Sequence, residues 1–109
     1  MAKKNDLLPG TLDLLILRTL KRAPLHGYGI ALAIKRLSDD VLTVEEGSLY
    51  PALHRMEQSG WLSSEWALSE SNRRAKYYKL TLAGRKQLVE AEKSWEQLMK
   101  GVQTMLRFA

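Results

Sequence analysis

Ser48, Tyr50, His54, Arg55 and Gln58 gather hydroxyl, phenol, imidazole, guanidinium and amide groups into one short stretch. Groups of these kinds hydrogen-bond to phosphate oxygens and to the edges of bases. Between them Leu49, Leu53 and Met56 recur at i, i+4 and i+7. That spacing predicts a helix within residues 47–61, with a buried apolar stripe and a separate hydrogen-bonding face. Thr43 or Glu46 serves its start, Pro51 is best tolerated near the first turn, and Gly60 fits the C′ position past its end. A helix of about four turns fits a DNA major groove.

A second cluster follows at once. Leu62 to Leu68 and Ala75 to Leu80 read as two strands rich in Trp and Tyr, separated by the polar residues Ser69, Glu70, Ser71, Asn72, Arg73 and Arg74. From Ser71 to Val89 the chain carries Arg73, Arg74, Lys76, Lys79, Arg85 and Lys86 with no Asp or Glu among them. Charge concentrated in this way suits a phosphate backbone. Arg73, Arg74 and Lys76 are the candidates to hold minor-groove phosphates; a solvated turn is the competing account. Tyr77 and Tyr78 alternate sides of their strand, so at least one belongs to the core.

Other elements must position these groups. Residues 1–10 form a polar arm closed by Pro9-Gly10, with Lys3 and Lys4 more often solvated than bound to phosphate. Thr11 is the expected N-cap of a first helix running to about Arg22, apolar around much of its circumference and therefore central. Pro24 ends it. A second helix spans His26 to about Ser38, with Ile30, Ile34 and Leu37 as its apolar stripe. Gly27 and Gly29 permit close approach of a backbone or a phosphate at its start. Tyr28, between them, either packs inside, the commoner fate, or reaches DNA. Asp39-Asp40 marks a solvated connection.

From Thr81, a fair N-cap, a last helix runs towards Phe108. Leu88, Ala91, Trp95, Leu98, Val102 and Met105 step along it by three and four, and Met99 and Leu106 lie beside them. This heptad seam is wider than a small domain covers, so a second copy of the chain is the expected lid. Packing against its own domain is the alternative. Gly101 weakens the helix by about 1 kcal/mol relative to alanine and marks a bend or a close crossing. Trp61 and Trp66 are expected to be packing groups.

Helix, helix, helix, hairpin is the order of a winged helix-turn-helix. The expected fold is mainly α with a small β-hairpin: residues 1–80 as a winged helix-turn-helix DNA-binding region, and residues 81–109 as a C-terminal dimerisation helix within one compact domain. The motifs His26-Gly27-Tyr28-Gly29-Ile30, Gly47-Ser48-Leu49-Tyr50-Pro51-Ala52-Leu53, Glu57-Gln58-Ser59-Gly60-Trp61-Leu62 and Lys76-Tyr77-Tyr78-Lys79-Leu80-Thr81-Leu82-Ala83-Gly84 occur in this order. Together they resemble the PadR family of bacterial transcriptional regulators, from about Leu7 to Leu106. The chain matches a short form of the family with one C-terminal helix.

The resemblance implies that Tyr50 sits at the DNA-facing start of the recognition helix and that Pro51 stiffens that start. It further implies a homodimer that senses small aromatic compounds between its C-terminal helices and controls its own gene or a neighbouring transporter or enzyme gene. Trp95 is the residue placed to stack on such a molecule, or simply to fill the interface. Of the recognition-helix residues, Ser48 and Tyr50 suit phosphate or base-edge hydrogen bonds. Tyr50 has a packing alternative. Arg55 suits a guanine edge or a phosphate, and His54 a base edge or solvent.

Composition bounds these expectations. The chain has 109 residues, seventeen Lys and Arg against twelve Asp and Glu, a formal charge of +5 and no cysteine. Disulfides and thiolate metal sites are excluded, and no apolar run approaches a membrane span or signal peptide, so the expected compartment is the cytoplasm. With two histidines, no Gly-rich phosphate loop and no metal-ligand spacing, neither an enzyme nor a cofactor is expected. The expected activity is repression by occupancy: a dimer covers an inverted-repeat operator on double-stranded DNA, and a small aromatic effector changes the spacing of its two reading helices. A winged-helix adaptor for protein partners is the rival reading.

Overall fold

The apolar residues from Leu12 to Leu20 form the middle of the molecule. The computed structural model describes residues 10–109, and in it α1 (Thr11–Leu20) buries Ile16, Leu17 and Leu20. Gly10, not Thr11, is the residue before the first turn. The arm with Lys3 and Lys4 lies outside the described residues.

After Pro24 the chain does not enter a helix directly, because Leu25 and His26 are extended and form β1 (Leu25–His26). Two residues are too few to show an alternating pattern. His26 therefore caps α2 (Gly27–Leu37) from outside: its backbone is extended, and its Nδ1 accepts the Gly29 N–H at 2.9 Å. Within α2, Ile30 and Ile34 are buried as expected, joined by Ala33, whereas Leu37 is exposed. The buried stripe ends at Ile34, one turn before the helix itself stops at Leu37. After Ser38, Asp39 and Asp40 take left-handed conformations, with φ of 52° and 64°, that short polar side chains tolerate.

α3 (Glu46–Gln58) follows, then β2 (Leu62–Leu68) and β3 (Arg74–Leu80). The three strands form an antiparallel sheet in the order β1-β3-β2. β2 and β3 pair from Leu62 opposite Leu80 to Leu68 opposite Arg74, and β1 sets Leu25 opposite Tyr78 and His26 opposite Tyr77. One face of the inner end contributes Leu62, Tyr78 and Leu80 to the core shared by the helices. Tyr77, on the other face, lies edge-on to His26 with ring centres 5.2 Å apart.

α4 (Leu82–Phe108) begins as the sequence predicts, with Thr81 Oγ1 accepting the Gly84 N–H at 3.0 Å. The same hydroxyl donates to the Gly60 carbonyl at 2.6 Å, and the Thr81 N–H donates to the Trp61 carbonyl at 3.1 Å. Gly84 completes this joint: a Cβ there would lie 2.0 Å from the Trp61 carbonyl oxygen. The end of α3 and the start of α4 are thus bonded backbone to backbone. Leu88 is only 3% exposed and sits in its own chain's core, which removes it from the expected dimer seam. Further along, α4 extends as one unbroken helix of about 40 Å, passing Gly101 without a break and leaving Leu98, Val102, Met105, Leu106 and Phe108 exposed. Among the described residues no helix is long and apolar enough to cross a membrane.

Candidate nucleic-acid interface

At 100° per residue, α3 sorts its side chains into a core stripe, an outer line and two flanks. Leu49, Ala52, Leu53 and Met56 are buried, as the spacing requires. Directly opposite lie Gly47, Pro51, His54 and Gln58, all exposed. Ser48 and Arg55 occupy the flank towards α1, and Tyr50 and Glu57 the flank towards α2 and the hairpin.

The helix starts at Glu46, after an extended Glu45 that gives no side-chain cap; neither Thr43 nor Glu46 fills the cap position. An acidic residue in the first turn still complements the helix dipole. Pro51 is the sixth helical residue, one turn deeper than expected, so the Gly47 carbonyl receives no bond from position 51. The end is as the sequence predicts. Gly60 adopts φ of 81°, its N–H donates to the Glu57 carbonyl at 3.0 Å, and the Trp61 N–H reaches back to Met56 at 3.0 Å. That double bond pattern closes the last turn and requires a left-handed residue at Gly60.

Each flank is engaged within the chain. Arg55 Nη1 and Nη2 donate to the two carboxylate oxygens of Asp13 on α1, at 3.0 and 2.6 Å. This bond raises the Arg55 pKa above its ordinary value, against an opposing effect of burial. Tyr50 lays its ring over Gly27, where a Cβ would meet Cε1 at 2.7 Å, yet the residue stays 44% exposed. The hydroxyl end of the ring lies over Gly27 too, 2.8 Å from where that Cβ would be, so Tyr50 packs on α2 while part of it stays open to solvent. Tyr28 is 63% exposed and stacks on His26 at 6.4 Å, so the expectation that it packs inside is corrected.

Between α3 and the hairpin, Glu57 accepts hydrogen bonds from Ser64 and, at 3.1 Å, from Lys76. The Ser64 bond chiefly, with the Lys76 bond and charge, holds the Glu57 carboxyl below its usual range despite partial burial. Glu57 in turn raises the Lys76 pKa. Lys76 also lies 5.6 Å from the centre of the Tyr78 ring, and burial pushes the Tyr78 phenol up. Lys76 therefore braces the root of the wing, while Arg73 and Arg74 stand exposed at its tip. The tip is a tight turn in which the Asn72 N–H donates to Ser69 at 2.9 Å and Asn72 takes φ of 60°, a value asparagine accepts readily. Trp66 is 59% exposed beneath Arg74, whose guanidinium lies 5.4 Å from the ring centre. The expectation that Trp66 is a packing group fails, because β2 outruns the core after Ser64. Trp61, by contrast, packs against the core as expected.

On the far side of α1, Asp13, Leu14 and Leu17 face Ala91, Ser94, Trp95 and Leu98 of α4 across a cleft of about 250 Å³. Trp95 is half-buried along it. Sequence reasoning overlooked Asp13, whose partner is 42 residues away, and the Glu57 link to the wing. A lone acid in a first helical turn resembles ordinary helix-start charge; only the tertiary contact distinguishes it.

The same arrangement occurs in known proteins. The Transcriptional regulator PadR-like family matches residues 16–90 of the chain. A PadR family transcriptional regulator from Eggerthella lenta is 38% identical with a TM-score of 0.75, over 92% of this chain and 85% of that one. A protein of known structure from Streptococcus mutans gives a TM-score of 0.85 at 28% identity, over 97% and 95% of the two chains. A transcriptional regulator of Mycobacterium tuberculosis is 38% identical over 68 residues, 62% of this chain and 63% of that protein. A three-helix body with a basic hairpin and a C-terminal helix, matched by the family over most of its length, establishes that this chain belongs to the PadR-like family of transcriptional regulators and is not an enzyme.

Proposed function

We propose that the chain is a homodimeric repressor that reads an inverted-repeat operator with α3 and is released by a small aromatic effector. The observation that carries this reading is the outer line of α3: Gly47, Pro51, His54 and Gln58 are exposed along its length, with Ser48, Tyr50 and Arg55 on the flanks, and Arg73 and Arg74 are exposed on the hairpin that Glu57 ties to this helix. In the major groove, His54, Arg55, Ser48 and Tyr50 face bases and phosphates, while Arg73 and Arg74 meet the flanking backbone. Lys76 supports the wing through its bond to Glu57, and Tyr28, exposed at the start of α2, is a further candidate for contact with DNA. Two copies related by a dyad set their reading helices about 34 Å apart on one face of the duplex.

The exposed apolar residues of α4 support the dimer. Leu98, Met99, Val102, Met105 and Leu106, with Ala91 and Trp95 at the inner end, form the paired surface in this reading. The cleft beside Trp95 supports the effector site. Because α3 and α4 are bonded at the Gly60–Trp61–Thr81 joint, a ligand that favours one α4 arrangement shifts the reading helices with it. The protein works in the cytoplasm in this reading.

Selection of bound fragments from random duplex DNA tests the proposal, with inverted repeats as the expected product. Arg73→Ala with Arg74→Ala should reduce the slope of log affinity against log salt by about 1.8 per protomer. Trp95→Asp should sediment as a monomer. Recovery of no sequence better than random DNA would overturn operator binding and leave an adaptor role in its place. A parent protein that stays monomeric at micromolar concentration would overturn the dimer.

A further inference from the structure

Arg55 stands on the α1 flank of the recognition helix, and its two terminal nitrogens are both held by Asp13, at 3.0 and 2.6 Å. Asp13 lies in the first turn of α1, where unpaired N–H groups favour a carboxylate. Its side chain is mostly covered, whereas that of Arg55 is 54% exposed. A guanidinium carries five donors in one plane. End-on capture by Asp13 uses one N–H from each terminal nitrogen, which leaves Nε–H and a neighbouring N–H parallel on the side edge. Among the described residues nothing bonds to Nε. That side edge is a fork of the kind that takes guanine O6 and N7.

We infer that Asp13 is a positioning residue for DNA reading: it fixes the Arg55 plane so that the side edge is presented as an oriented fork, and it cancels part of the charge that would otherwise draw Arg55 to the nearest phosphate. An arginine on an exposed helix flank samples many rotamers, each able to reach a backbone oxygen. Held by Asp13, it gives up indiscriminate attraction and contributes base choice. The inference rests on the DNA-binding reading proposed above and extends it to a residue on α1.

The test compares affinity for the selected operator with affinity for the same duplex bearing single base-pair replacements, and for random duplex. The guanine read by Arg55 is the position at which Arg55→Lys loses discrimination. Asp13→Asn is expected to lower discrimination at that position about tenfold, with binding to random duplex unchanged or stronger, because a negative charge has been removed. In an Arg55→Lys background Asp13→Asn should cost no further discrimination. The charge-exchanged pair, Asp13→Arg with Arg55→Asp, controls for folding: it can restore the bridge between α1 and α3 and recover the melting temperature, but not the discrimination. Discrimination retained by Asp13→Asn, or operator and random binding weakened alike, would overturn the inference while leaving DNA reading intact. Failure of the parent protein to prefer any sequence would overturn both.

Discussion

Gly84→Ala is the substitution whose cost the structure specifies most directly. The new methyl carbon would lie 2.0 Å from the Trp61 carbonyl oxygen and 3.0 Å from its carbonyl carbon. Both obstacles are backbone, so no rotamer change relieves them, and the start of α4 must move by more than about 1 Å to reach ordinary contact. That movement strains the Thr81 N–H bond to Trp61 and the Thr81 hydroxyl bond to Gly60. Overpacking of this kind costs about 1–3 kcal/mol, and loosening the Thr81 cap costs about 1 kcal/mol more. Alanine returns about 1 kcal/mol as the better helix former. A net loss of about 1–3 kcal/mol lowers the melting temperature of a chain of this length by roughly 4–13 °C. The assay is thermal unfolding followed by circular dichroism at fixed protein concentration. Gly101→Ala is the matched control: nothing lies within 4 Å of its Cβ, so it should melt at or above the parent temperature. A Gly84→Ala protein that melts as high as the parent would refute the argument that this contact fixes α4 to the end of α3.

Glu57→Gln should flatten acid unfolding. A carboxyl held below its usual value stabilises the fold above its unfolded pKa of about 4.3, and that contribution disappears as pH falls through the lower folded value; the loss of stability below pH ~4, measured by urea titration, should therefore be smaller in the variant. His26→Ala removes the cap on Gly29 and should cost about 1 kcal/mol, while His26→Asn, which keeps an acceptor, should recover most of it in the same titration. Leu88→Ala, in the core, should cost about 2–5 kcal/mol of chain stability. Leu106→Ala should leave unfolding of the monomer nearly unchanged and instead raise the dimer dissociation constant, read by sedimentation. Reversal of these last two outcomes would return Leu88 to the seam.

Local rules made much of the molecule legible in the sequence. The i, i+4, i+7 spacing of Leu49, Leu53 and Met56 fixes which side of α3 is buried. Gly60 stops that helix, and Thr81 starts the next. The exposed apolar run beyond Leu98 follows from the same periodicity. Each depends on groups within a turn or two of one another, where geometry is set by the helix itself.

The misreadings fall where distance along the chain and distance in space part company. His26 is extended because it meets Tyr77, and Leu88 is core because Gly84 seats α4 against Trp61; no pattern local to either residue encodes those neighbours. Trp66 is exposed because β2 projects past the body. The sequence offers Arg55 to a guanine edge or a phosphate, and only tertiary packing brings Asp13 from α1 to occupy its end. Periodicity assigns a side chain to a face, but what lies opposite that face is decided by how the helices and the sheet close on one core, since burial and ion pairing are properties of the assembled surfaces.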